Sequence, residues 1–185
     1  NKISSTFFIM LNSKIYNLLN KNNKDNLANI ISLGHKIGLH FDASLYKEKK
    51  VSLDVACIKE CESLESLIKK KVDIISFHRP CKELIGRKSK IGLRNHTYMP
   101  ELMQSIKYCS DSGGNWKYDD PEDLIKDISI KNIQLLTHPI WWTTPKNLSP
   151  GEKIAYHLKE YKYDIKKEAA RNCIPYKLYL ESSKL

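Results

Sequence analysis

Short runs of consecutive apolar and β-branched residues alternate along this chain with longer stretches in which apolar positions recur every three or four residues. The first pattern predicts strands and the second amphipathic helices. Strands are expected at "STFFIML" (5–11), "KIGLHFD" (36–42), "DIISFHR" (73–79), within "SIKYCSDS" (105–112), and at "NIQLLTHP" (132–139). Helices are expected at 23–34, where Gly34 is the stop, and at 52–71, where Leu53, Cys57, Leu64 and Ile68 form one apolar face. A third starts at Asp120, with Pro121 in its first position, and a fourth spans 149–172 behind a Ser149/Glu152 capping box. Between 80 and 104 the chain reads as a polar loop rich in Lys, Arg and Gly, and "SGGN" reads as a turn.

Strands that alternate with helices predict an α/β fold whose mainly parallel sheet is either open or closed into a barrel. With 185 residues and 41% hydrophobic content, one domain with one substantial core is expected. No apolar run approaches the ~20 residues of a membrane span, and no signal peptide is evident. A strand that starts almost at Asn1 suggests that further residues precede it in the natural protein.

Charge adds one constraint. The 31 basic residues exceed the 21 acidic ones, giving +10, which invites a nucleic-acid reading. The basic residues are nearly all scattered lysines, however. The arginines, which read bases and phosphates best, are confined to Arg79, Arg87, Arg94 and Arg171. The expectation is therefore no nucleic-acid partner, and an anionic substrate such as a nucleotide-sugar fits the charge at least as well. Five cysteines, an odd number, argue against a disulfide framework and for a reducing, cytoplasmic setting. Cys57 and Cys61 are expected to pack in the core as small hydrophobes.

Candidate chemistry gathers at the strand ends. In parallel α/β folds the loops at the C-terminal edge of the sheet build the sites. Here those ends read His40-Phe41-Asp42, His78-Arg79-Pro80, Ser110-Asp111-Ser112 and Thr137-His138-Pro139. Alternation puts His40 and Asp42 on one face of their strand. With His78 from the next strand they could form a nitrogen/oxygen site for Zn²⁺ or another divalent transition metal. Asp42 is a ligand, an orienter of His40 or a turn residue, and His78 a ligand or a structural histidine. Arg79 pins a carboxylate or binds substrate. His138 is the candidate proton donor, and Asp111 either orients it or starts the "SDSGGN" turn. Trp116, Trp141 and Trp142 suggest stacking on a sugar ring, with one of the adjacent pair expected to be structural. His35 is expected to bond exposed carbonyls, and His96 and His157 to lie on the surface.

The order "STFFI", "GHKIGLHFD", "SFHRP", "YCSDSGGNW" and "LLTHPIWW" resembles the polysaccharide deacetylase superfamily (NodB-like, carbohydrate esterase family 4). More narrowly, it looks like the WbmS-like branch associated with surface-polysaccharide and nucleotide-sugar gene clusters. The resemblance covers about residues 4–142. It implies a single domain folded as a distorted (β/α) barrel, a divalent metal, usually Zn²⁺, and hydrolysis of an N-acyl or O-acyl group on a sugar. It further implies that His40 is the first metal histidine, that Arg79-Pro80 matches an Arg-x-Pro motif, and that His138 is the general acid. The family's second metal histidine falls at Ser44, so His78 or Asp42 must substitute. The family's Asp pair, one the base and one a metal ligand, is expected on a strand preceding residue 4. The implied activity is removal of acetyl or formyl from a sugar or nucleotide-linked sugar. The alternatives are a non-catalytic carbohydrate-binding relative or an accessory module of a larger biosynthetic protein.

Overall fold

The structure, a computed structural model, describes residues 3–46 and 51–183. It is mixed α/β with parallel sheets, and the chain divides into two compact units, Asn1–Ile106 and Lys107–Leu185.

Unit 1 contains β1 (Thr6–Ile9), α1 (Lys21–Ser32), β2 (Lys36–Phe41), a 3-10 turn at Ala43–Tyr46, α2 (Leu53–Ile68), β3 (Ile74–Phe77), β4 (Asn95–His96) and α3 (Pro100–Met103). Its strands form a four-stranded sheet in the order β1-β2-β3-β4, parallel throughout, with Phe8 opposite Gly38, His40 opposite Ser76 and Ile75 opposite His96. Parallel pairing carries the C-terminal ends of these strands to one edge, which brings the ends of β2 and β3 side by side. Gly38 sets how closely the strands approach. A Cβ there would lie 2.6 Å from the Phe8 ring and 2.9 Å from the Ile74 carbonyl oxygen.

The core beneath is built by periodicity. Leu39, Phe41 and Ile75 from the strands meet Cys57, Cys61 and Leu64 from α2, all fully buried. Both cysteines pack here as small hydrophobes, and all five cysteines are free. Helix α2 starts at Ser52, whose hydroxyl accepts the Val55 N–H, and stops at Lys69 in the left-handed conformation. The segment expected to be a featureless polar loop instead contains β4 and α3. It is fastened to α2 where Arg94 bonds Glu65 at 2.9 Å and where Asp54 accepts the Gly92 N–H at 3.0 Å. His96, expected on the surface, is fully buried in β4 against Phe77, with its Nε2 donating to the Ser89 carbonyl at 3.3 Å. His35 also differs from expectation, because its Nδ1 accepts the Ser5 N–H at 3.2 Å.

Unit 2 contains β5 (Lys107–Ser110), α4 (Pro121–Lys126), β6 (Ile133–Leu136), a 3-10 turn at Pro139–Trp141, α5 (Pro150–Asn172) and α6 (Ile174–Ser182). Strands β5 and β6 pair in parallel, with Ser110 opposite Leu136. The capping box at Ser149 and Glu152 is present, and Asp120 caps α4. Gly114, at φ +86°, lies against the start of α5, where a Cβ would come within 2.6 Å of the Pro150 ring. No helix among the described residues is long and apolar enough to cross a membrane.

Candidate functional site

Two polar clusters occupy strand ends, one in each unit. In unit 1, β2 ends at Phe41 and β3 at Phe77, and the Phe41 carbonyl accepts the His78 N–H at 2.9 Å, extending the ladder by one step. His40 and His78 are therefore brought edge to face. Nδ1 of His78 lies 3.3 Å from Nε2 of His40, with ring centroids 5.2 Å apart at 76°. When both rings are neutral, one nitrogen donates and the other accepts.

Asp42 lies just past the end of β2. Its Oδ1 accepts the Ser44 N–H at 3.0 Å and the Ser44 hydroxyl at 2.6 Å, so it caps the Ala43–Tyr46 turn. Burial pushes its carboxyl up, but the Ser44 bonds and the positive fields of His78 and Arg79 outweigh burial and hold it below the usual carboxylate range. Arg79 itself is exposed. The strand alternation that places His40 and Asp42 on one face stops one residue too early to apply to Asp42.

A polar cluster that the sequence pattern did not single out braces the same turn. Buried Glu60 on α2 accepts the Tyr46 hydroxyl and, at 2.8 Å, the Asn12 amide. Burial, then the Glu60 carboxylate, push the Tyr46 phenol far above its ordinary value. The signal was available, since Glu60 occupies the apolar stripe of α2 between Cys57 and Leu64, where a carboxylate needs partners.

In unit 2 the centre is Asp111, 3% exposed, immediately after β5. Nδ1 of His138 donates to Oδ1 at 2.6 Å, the His138 backbone N–H lies 3.0 Å from both oxygens, and Nε1 of Trp142 donates to Oδ2 at 2.8 Å. The 3-10 turn at Pro139–Trp141 brings the chain back so that His138 and Trp142 address one carboxylate. Nδ1 carries the proton bonded to Asp111, so Nε2 is the ring nitrogen turned away from the carboxylate, on a side chain that is 43% exposed. The buried carboxylate thereby fixes the tautomer and the orientation of the imidazole.

The three tryptophans take different positions. Trp116 and Trp142 pack together with centroids 5.6 Å apart, and Trp142 is 60% exposed. Trp141 turns inward towards Gly114, and its carbonyl accepts the Lys153 ammonium at 2.8 Å. Trp141 is thus the more enclosed member of the adjacent pair.

A transition metal can be tested against the unit 1 cluster. At metal–nitrogen distances of about 2.0–2.1 Å, two neighbouring corners of a tetrahedral site lie roughly 3.3–3.4 Å apart. The 3.3 Å separation of the His40 and His78 nitrogens fits those two corners. Among the described residues, no third His, Cys, Asp or Glu completes a group of three. Comparison with protein-family models, with curated proteins and with solved structures finds no match to this chain.

Proposed function

We propose that this chain is a divalent-metal-dependent amide hydrolase of the polysaccharide deacetylase type, folded as the NodB-like distorted barrel. It removes an acetyl or formyl group from the amine of a sugar or nucleotide-linked sugar used in bacterial surface-polysaccharide synthesis. The observation that carries the reading is the Asp111–His138 pair, a buried carboxylate at 2.6 Å from an imidazole whose other nitrogen is the working one. The ordered strand-end motifs supply the substrate class by resemblance.

His40 and His78 would hold the metal as two of its donors, with Zn²⁺ favoured by imidazole ligation. A metal held there polarises the acyl carbonyl and lowers the pKa of a water. The protein's own residues do the rest. In the mechanism that the resemblance implies, water oxygen bonds to the acyl carbon while its proton passes to a carboxylate base. The resemblance further implies that, as the carbon–nitrogen bond breaks, protonated His138 gives its Nε2 proton to the leaving amine, while Asp111 keeps the Nδ1 proton in place. The products are the free amino sugar and acetate or formate. Trp116 and Trp142 offer aromatic faces to the sugar ring, Trp141 supports them, and Arg79 is available to an anionic group of the substrate. The free cysteines favour a cytoplasmic setting and a precursor substrate, and the scattered lysines with few arginines favour no nucleic-acid partner.

The test has two parts. Elemental mass spectrometry of purified protein is expected to find about one transition metal per chain, lost in His40→Ala. Release of acetate or formate from N-acyl sugars and nucleotide-sugars is expected to depend on His138. No metal after reconstitution, together with no acyl release, overturns the hydrolase reading. The packed Trp116–Trp142 pair, of which Trp142 is exposed, with Ser44 at the family's second metal histidine, then favours a carbohydrate-binding protein without catalysis.

A further inference from the structure

Trp142 faces two ways. Its ring is 60% exposed and packs against Trp116, whereas its N–H edge is directed inward to Oδ2 of Asp111 at 2.8 Å. A ring that served only as a sugar platform would need no such bond, because solvent satisfies an exposed indole N–H. Here the N–H goes to a carboxylate that is 3% exposed and already bonded to His138. The other two contacts of Asp111 come from a single group, the His138 backbone N–H at 3.0 Å from each oxygen. Both of those donors, the imidazole and the backbone N–H, belong to His138 itself, so a single residue holds the carboxylate from its side chain and its main chain. Trp142 ties the carboxylate to a second point.

We propose that Trp142 is a positioning residue for the Asp111–His138 pair, linking the aromatic platform to the proton donor through its indole N–H. The inference deepens the hydrolase reading and rests on it for its bearing on catalysis, but the positioning itself is a property of the resting protein. The consequence for substrate is that a sugar ring stacked on Trp142 presses on the residue that fixes Asp111. Occupancy of the platform and orientation of His138 are then coupled. The charged and titratable groups around this network within unit 2 are Asp111 itself, the Tyr108 phenol and Cys109 thiol on β5, which both feel the Asp111 charge, and the Lys153 ammonium on the Trp141 carbonyl.

The test separates the N–H from the ring. Replacing Trp142 by β-(3-benzothienyl)alanine keeps the bicyclic face and substitutes sulfur for the N–H, and Trp142→Phe is the genetically simple companion. The readout is proton NMR of the downfield His138 Nδ1–H, identified by its absence in His138→Ala, and its exchange rate with water. Loss of a hydrogen bond to a charged group is expected to accelerate that exchange roughly ten- to a hundredfold. Trp116→Phe, which perturbs the platform without touching Asp111, is expected to leave the exchange within threefold of wild type. Exchange within threefold of wild type in the benzothienyl protein overturns the inference, whether or not Trp142→Phe folds. In hydrolysis assays the benzothienyl protein is expected to lose kcat with little change in KM. Accelerated exchange combined with wild-type hydrolysis by His138→Ala would instead leave the positioning intact and remove His138 from the reaction.

Discussion

The two polar clusters solve opposite electrostatic problems. In unit 1, two imidazoles meet at 3.3 Å, and the neighbouring carboxylate of Asp42 is engaged by Ser44. In unit 2, a buried carboxylate meets one imidazole and is held by the Trp142 indole as well. Two imidazole nitrogens at that distance have the spacing of two donors to one cation, the role proposed for them. The Asp111–His138 pair joins one imidazole to a buried carboxylate, which suits the proton-transfer role proposed for it. Sequence proximity would not have separated these roles, since each cluster is a histidine near an aspartate at a strand end. Hydrogen-bond partners separate them.

The largest expected effect divides the clusters by chemistry. His138→Ala is expected to lower acyl release by about 10²–10⁴-fold while leaving bound metal unchanged, as read by kinetics and elemental analysis on the same preparation. Equal metal loss in that variant would mean that the two clusters are not separate devices.

Next come the glycines that space each cluster. Gly38→Ala would force a Cβ to 2.9 Å from a backbone oxygen and 2.6 Å from the Phe8 ring, and is expected to cost about 3 kcal/mol. Gly114→Ala meets the Pro150 ring at 2.6 Å at a positive φ, and about 2 kcal/mol is expected. Denaturant unfolding measures both, and an unchanged midpoint for Gly38→Ala would contradict the close approach of β1, β2 and β3.

A smaller effect is pH dependence in unit 1. Burial, outweighing its bond to the Ser89 carbonyl, holds His96 below the ordinary imidazole value, with Arg87 adding to that shift and Glu101 opposing it. The unfolded chain therefore takes up the proton first as pH falls. The stability that depends on neutral His96 is intact above about pH 6.5 and declines below it, by at most about 1.4 kcal/mol per pH unit. His96→Gln is expected to flatten that slope in urea titrations at pH 7, 6 and 5. Asp42 acts lower down, its contribution being intact above about pH 4 and lost as pH falls through its depressed folded value. The smallest effect expected is from Trp116→Leu, about 0.5–1.5 kcal/mol in sugar affinity through KM, with the Asp111–His138 pair undisturbed.

Much of the fold was legible because its signals are local. Ser149 with Glu152, and Asp120 before Pro121, announce helix starts through residues three or fewer apart. The stripe of α2 announces its buried face. Asn20, not a later residue, caps α1, because an Asn-rich stretch offers several equivalent caps and only packing selects one. β4 is two residues long, too short to show a period, and its His96 is buried by tertiary contact with Phe77. α6 places Ile174, Tyr176, Leu178 and Leu180 at every second position, a spacing that does not announce a helix. At the sites, alternation found the strand-end residues but could not tell that β2 stops at Phe41, which makes Asp42 a turn cap. It also could not show that Trp142 serves Asp111, because that bond closes across 31 residues.

The placement of the tryptophans has a spectroscopic consequence. All three are in unit 2, at 116, 141 and 142, and unit 1 has none. Indole emission therefore watches one half of the molecule alone, while far-ultraviolet circular dichroism watches both. If the two signals change at the same denaturant concentration, the halves unfold as one cooperative body. If they separate, each half can be followed in the presence of the other without adding a label.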